Sequence, residues 1–483
     1  MSSPLNTRRE AEQPAPDICF LTAVEMASLI RRGKLSAREV LAAHLQQIDR
    51  VNPKVNAIVT LIAEQAMENA RKADEAQARG ASLGPLHGLP VVHKDLFDTA
   101  GVRTTHGSRI LRDNVPTQDA IIVERIAKAG AISVGKSNTP EFGAGSQTFN
   151  EVFGPTKNPY DLTKTCGGSS GGAAVSLACG MAPIADGSDS GGSLRNPAAF
   201  CNVVGIRTAP GRVPAAAPGN AWSTLSVQGP MARTVADVAL LLSAIAGPDP
   251  RCPISINEAG SRFAGSLERS FKGVRVAWFK DMGGIPFDPR ILKTVDAQRK
   301  VFESLGCLVE EAEPDWSGAY EGYDILRAWG FASSQGEYVR LHRDLVKDTV
   351  IWEVERGLKL SGEDIARGFS LRGQAWDRMR VFQEKYEYFI APTTQVLPFD
   401  VHLPYPAEIG NVKMSTYVEW QKSCILISAL ESPALSVPCG FTEEGLPVGL
   451  QIVGRHRDEW SVLQIAHAFE QATGIGRRKP GIV

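Results

Sequence analysis

Apolar residues recur at three- and four-residue intervals through the N-terminal part of the chain, the period of an amphipathic helix. Two helix starts stand out, Thr22-Ala-Val-Glu25 and Ser36-Ala-Arg-Glu39. In each, a hydroxyl precedes a glutamate by three positions, the spacing of a capping box. The first predicts a short helix ending near Gly33. The second predicts a longer one that buries Val40, Leu41, His44, Leu45 and Ile48 on one face. A third helix is predicted over 64–79, with Gly80 as its stop. Residues 1–16 are polar and proline-containing and predict a disordered tail, and 17–480 reads as a single domain.

The pattern then alternates between short apolar runs and helical stretches. Strands are predicted over 89–93, 131–134, 182–185, 274–279, 388–391, 434–437 and 448–453, with helices over 119–128, 172–179 and 234–246. Such alternation predicts an α/β fold: a large mixed, mainly parallel central sheet covered by helices on both faces. Residues 285–386 are richer in charge and in tryptophan (Trp316, Trp329, Trp352, Trp376) and predict a helical insertion that covers the substrate.

Composition narrows the function classes. Hydrophobic residues make up 43% and charged residues 22% of 483 positions, values of a globular protein with a sizeable core. Lys and Arg number 52 against 53 Asp and Glu. That balance argues against a nucleic-acid or membrane partner. The eight cysteines form no C-x-x-C pair and read as reduced, buried thiols of a cytoplasmic protein, with no metal site. No apolar leader follows the first residues, and the apolar stretch 235–246 contains Asp237 and is too short to span a bilayer.

The chemistry lies in two glycine–serine clusters, Gly167-Gly-Ser-Ser-Gly-Gly172 and Asp189-Ser-Gly-Gly-Ser-Leu-Arg195. An eight-residue helix between them travels about 12 Å and a short strand returns about as far. Ser169 and Ser193 are therefore expected side by side at one end of the sheet. Four successive N–H groups, Ser190 to Ser193, can curl around an oxyanion because Gly191 and Gly192 impose no side-chain barrier. Ser193 then reads as a nucleophile. Its base would be Lys94, at the end of the apolar run Pro90-Val-Val-His-Lys94. Burial lowers a lysine pKa, and strand alternation directs Lys94 away from Asp95, whose charge would oppose that shift. Ser169 could relay the proton. Ser170 is expected to orient the first loop, and Asp189 and Arg195 to brace the second through an ion pair.

These blocks resemble the amidase signature family. So do the flanking segments Gly130-Ala-Ile-Ser-Val-Gly-Lys-Ser-Asn138, Phe153-Gly-Pro-Thr-Lys-Asn-Pro159, Gly205-Ile-Arg-Thr208 and Leu446-Pro-Val-Gly-Leu-Gln-Ile-Val-Gly454. The resemblance spans residues 20–475 and implies the amidase signature fold and a Ser–cis-Ser–Lys triad of Ser193, Ser169 and Lys94. It departs from the family where Ser190 replaces a common threonine and Asn202 a common glycine. It implies a free-standing amidase that cleaves carboxamide bonds, with carbamate, ester and aryl-amide substrates open, through an acyl-enzyme and without a cofactor. A homodimer is left open. The alternative is a glutaminase-type subunit of a tRNA-dependent amidotransferase. The stretch 217–228 does not look like the corresponding segment of such subunits.

Two other patterns compete. Gly130-x-x-x-x-Gly135-Lys136-Ser137 spells a P-loop, but a strand is predicted between its glycines and Pro140 follows where a helix should start. Gly168-x-Ser170-x-Gly172 spells a nucleophile elbow, which would need a late histidine, His456 or His467. Both histidines read more simply as surface or packing residues.

Overall fold

A computed structural model of the protein describes residues 17–216 and 220–483. The expected N-terminal tail and positions 217–219 lie outside them. Thr22 and Ser36 cap helices Ala23–Arg31 and Ala37–Val55, each with the reciprocal glutamate bond of a capping box. The third helix, Ala63–Ala78, ends before Gly80, whose φ is +70°.

Nine strands follow in chain order through the first four-fifths of the fold: β1 (Ile58–Leu61), β2 (Pro90–Lys94), β3 (Ile132–Ser137), β4 (Ile184–Asp189), β5 (Val204–Arg207), β6 (Val227–Ala232), β7 (Arg275–Trp278), β8 (Leu308–Glu311) and β9 (Tyr388–Pro392). A two-stranded ribbon, β10 (Glu408–Ile409) and β11 (Val412–Lys413), stands apart, and β12 (Ala434–Phe441) and β13 (Pro447–Val453) complete the main sheet. The eleven-stranded order is β1-β3-β2-β4-β6-β5-β12-β13-β9-β7-β8. The sheet is mixed, as expected, but its parallel pairing is confined to two blocks, β3-β2-β4 and β9-β7-β8. The other pairings, including the whole centre from β4 to β9, are antiparallel. The additional strands β5 and β6 carry glycine, proline and arginine inside short runs, which hid them from a hydropathy reading.

Both faces are covered. Val91 and Ile184 join one hydrophobic cluster, while their neighbours Val92 and Ala185 join the other. The alternation of a buried strand is thus visible residue by residue. Helix Gly171–Ala178 packs on the Val92 face, with its N-terminus at the ends of β2 and β4.

The segment 285–386 is not one helical insertion. Helix Pro289–Asp296 packs against β12 and β13, and β8 adds an edge strand to the sheet. Leu308 and Glu311 are exposed there, so the run lacks the apolar signal of a core strand. The helical layer proper comprises Ala319–His342, Asp348–Leu358 and Gly362–Lys385. Its own small core joins Val339, Val346, Val350, Ile351 and Val354 to Ala144 of the loop after β3.

Helix Gly171–Ala178 approaches its neighbours so closely that only hydrogen fits at Gly172. A Cβ there would stand 2.3 Å from the Asn138 nitrogen and 2.6 Å from the Ala57 oxygen, both backbone atoms. Gly172→Ala should therefore destabilise the protein by about 3 kcal/mol, the upper range for overpacking. Gly330→Ala, in open space within a long helix, should stabilise it by about 0.5–1 kcal/mol. Urea unfolding of the two variants tests both signs.

Candidate active site

Strands β2 and β4 run parallel and adjacent, so Lys94 and Asp189 finish at the same edge of the sheet. The Lys94 side chain is fully buried. Its Nζ stands 2.7 Å from Ser169 Oγ, 2.9 Å from Ser170 Oγ and 3.0 Å from Ser188 Oγ. No carboxylate lies within ion-pair distance of this amine among the described residues. Burial is the dominant influence and lowers its pKa to about 7, against a smaller upward pull from Asp189 and Asp186. As an ammonium, Lys94 would donate to all three hydroxyls; as a neutral amine, it must accept from one of them.

Asp95 projects elsewhere and accepts from the Thr105 N–H and hydroxyl. Asp186 holds the lysine strand instead. It accepts from the Lys94 N–H at 2.7 Å and pairs with His93 Nδ1 at 2.5 Å. Neither Asp186 nor Ser188 was singled out from sequence. The one hint was an acidic residue inside the apolar strand Ile184-Ala-Asp186.

The two glycine–serine loops meet. The Ser170 N–H donates to the Ser193 carbonyl at 3.2 Å. The Gly168–Ser169 peptide is cis. Ser146 Oγ donates to the Gly168 carbonyl, and Thr148 Oγ to that of Gly167. Gly143 flanks Ser169 from the other side: a Cβ on it would lie 3.6 Å from Ser169 Oγ. Ser193 is 9% exposed, and its hydroxyl has no hydrogen-bond partner among the described residues.

The second loop is organised by Asp189. Its carboxylate accepts from the Gly192 N–H at 2.8 Å and the Leu194 N–H at 3.2 Å. Arg195 meets it with Nε and Nη2, both at 3.1 Å, and Arg207 with Nη1 at 3.2 Å. Burial alone would raise the Asp189 carboxyl, but Arg195 and Arg207 together hold it well below the usual carboxylate range. These contacts correct the expectation of four available N–H groups. The chain turns at Gly192 (φ +119°), and that N–H is committed to a buried carboxylate. The N–H groups of Ser190, Gly191 and Ser193 have no protein partner among the described residues. Gly191 faces the helical layer, with Tyr323 Oη 2.5 Å from where its Cβ would be, and Ser190 Oγ is 3.5 Å from the same phenol.

The competing patterns do not assemble. Lys136 and Ser137 are strand residues of β3; the Lys136 amine donates to the Phe97 carbonyl and Thr99, and no helix follows at once. Ser170 is held by Lys94. His456 lies edge-on to Trp376, and His467 lies on helix Glu459–Thr473 near Glu268 and Glu470.

Comparison with known proteins identifies the family. The family model described as Amidase matches residues 39–463. The chain belongs to the amidase family. An acylamidase of Rhodococcus erythropolis is 37% identical over 467 residues, covering 95% of this amidase and 97% of the relative. A glutamyl-tRNA(Gln) amidotransferase subunit of Moorella thermoacetica is also 37% identical, covering 96% of this chain and 99% of that one. Among solved structures, a bacterial aryl acylamidase of the amidase signature enzymes superimposes with a TM-score of 0.89 at 27% identity, over 95% of this chain and 99% of that one. The protein is thus an amide-hydrolysing enzyme with the amidase signature fold.

Asp189→Asn tests the bracing role of the buried carboxylate. It would leave two buried guanidiniums without their counter-charge, and the expected loss is about 3–5 kcal/mol in denaturant unfolding. A loss under about 1 kcal/mol, the scale of exposed ion pairs, would show that the cluster does not hold the loop.

Proposed function

We propose that this amidase cleaves small carboxamides as a free-standing enzyme, with Ser193 as nucleophile, Ser169 as proton relay and Lys94 as base. The observation that carries the reading is an amine buried among serine hydroxyls, 2.7 Å from Ser169, with burial lowering its pKa to about 7 so that the neutral form is readily populated. The Ser193 Oγ–carbon bond forms as its proton passes through Ser169 to Lys94. The N–H groups of Ser190, Gly191 and Ser193 then face the oxyanion. The carbon–nitrogen bond breaks as Lys94 returns the proton to the departing amine. Water, deprotonated by the same route, releases the acid and regenerates Ser193.

Ser170 and Ser188 share the Lys94 amine and orient it. Tyr323 brings the helical layer against the second loop, which supports reading that layer as the substrate cover. Aryl acylamides head the substrate classes, with carbamates and esters following the same chemistry. Eight buried, unpaired cysteines support a reducing, cytoplasmic setting. The amidotransferase relative supports a second reading, a component that releases ammonia from glutamine for a partner. Turnover of a simple anilide by the purified chain, without ATP or partner, separates the two; activity on glutamine alone would favour the second.

Three variants and a pH profile test the roles. Ser193→Ala should abolish turnover with the fold intact. Lys94→Ala should be nearly as damaging and Ser170→Ala clearly milder; the reverse order would sink the assignment. Only the neutral form of Lys94 accepts a proton, so kcat/KM should rise with pH, reach half its plateau near pH 7 and fall tenfold per unit well below that. A flat profile between pH 5 and 9, roughly two units either side of that midpoint, would exclude Lys94 as the base.

A further inference from the structure

The second glycine loop is backed by a charge cluster with an excess of positive charge. Asp189, Arg195 and Arg207 are all fully buried. Asp189 is the only carboxylate within ion-pair distance of either guanidinium among the described residues. Two cations against one anion leave a surplus charge in the interior. Such a surplus costs folding free energy, so the ion pair with Asp189 alone gives no reason to keep it. Arg207 adds to that cost, because its buried Nε has no hydrogen-bond partner among the described residues.

The direction of Arg207 supplies a reason. Its Nη1 donates to the backbone carbonyl of Asp189 at 2.5 Å and, more weakly, to that of Ser190 at 3.5 Å. Its Nη2 reaches the carbonyls of Leu225 and Ser428 at 3.2 and 3.4 Å. A peptide group is one conjugated unit. A hydrogen bond into its carbonyl draws density from its nitrogen and strengthens its N–H as a donor. The Asp189 carbonyl shares a peptide with the Ser190 N–H, and the Ser190 carbonyl shares one with the Gly191 N–H. Arg207 therefore stands behind two of the three N–H groups left free in this loop.

We propose that Arg207 is a positioning residue for the oxyanion, acting through the Asp189–Ser190 and Ser190–Gly191 peptides, and that the surplus buried charge is matched by the negative charge developing on the substrate oxygen. This rests on the reading of Ser190, Gly191 and Ser193 as oxyanion donors. A neutral substrate carbonyl gains little from the arrangement and an anionic oxygen gains much. Arg207 thus acts on kcat and leaves KM alone.

The test compares wild type, Arg207→Gln and Arg207→Lys on an anilide substrate, with folding followed by thermal unfolding. Affinity for a trifluoromethyl ketone, whose serine adduct is an oxyanion, is measured in parallel. Arg207→Gln keeps a donor without the charge and should lower kcat and ketone affinity together by about tenfold, less than the roughly 10²–10³ lost with a direct oxyanion donor, with KM unchanged. Arg207→Lys keeps the charge but not the planar fork and should lose less than the glutamine variant in both. Unchanged kcat in a folded glutamine variant, or a loss carried by KM, overturns the proposal. If the glutamine variant does not fold, the lysine variant decides by the same readings. Labelling by a sulfonyl fluoride, in which the serine oxygen displaces fluoride at sulfur, separates the two levels. Ser193 labelled in all three proteins, with kcat and ketone affinity unmoved, removes only the role of Arg207. A wild type unlabelled at Ser193 removes the reading beneath it as well.

Discussion

A lysine amine that meets no carboxylate among the described residues, enclosed by hydroxyls, is the constraint on which the site depends. Lys94 Nζ meets Ser169, Ser170 and Ser188, and burial lowers its affinity for a proton. An acidic side chain in place of any of these serines would restore the ammonium and with it an ordinary ion pair. The sheet makes the enclosure possible. β2 lies between β3 and β4, so both flanks of the lysine strand are covered by backbone. Asp186 fixes the strand through the Lys94 N–H, leaving the amine itself to the serines.

The two loops solve different problems. The first, 167–172, is packed so tightly that Gly171 and Gly172 could not carry a Cβ without meeting atoms at 2.2–2.3 Å. It presents hydroxyls at a fixed place. The second, 189–195, is built around charge. One carboxylate gathers two guanidiniums and two N–H groups, and the chain wraps that centre so that other N–H groups face outward. The backbone bond from Ser170 to Ser193 ties the loops together, so the hydroxyls of one keep their register with the donors of the other. Beyond them, Tyr323 of the helical layer closes over Gly191, which joins that layer to the second loop.

Much of this was legible in the chain. Capping boxes located the starts of the first two helices, because their chemistry is local. The outward helix and returning strand between the serine clusters gave their proximity from lengths alone. The strands that escaped notice were short or half-exposed, as β1 and β8, or broken by glycine and proline, as β6. Segment 285–386 read as one helical block because its charged edge strand and its sheet-packed helix share the composition of the outer layer.

What the sequence determined by itself was the set of parts: a lysine closing an apolar strand, two loops that only glycine and serine could build, and the order in which they come. These follow from local propensity and spacing. The tertiary structure decided which partner each part takes. That Asp186 and not Asp95 steadies the lysine strand, that Ser188 completes the amine's shell, that Gly192 gives its N–H to Asp189, and that Arg207 reaches the loop across two strand pairings are all matters of distance between residues remote in the chain. Hydrogen bonds and buried charges act over a few ångströms, and only folding brings those groups within that range.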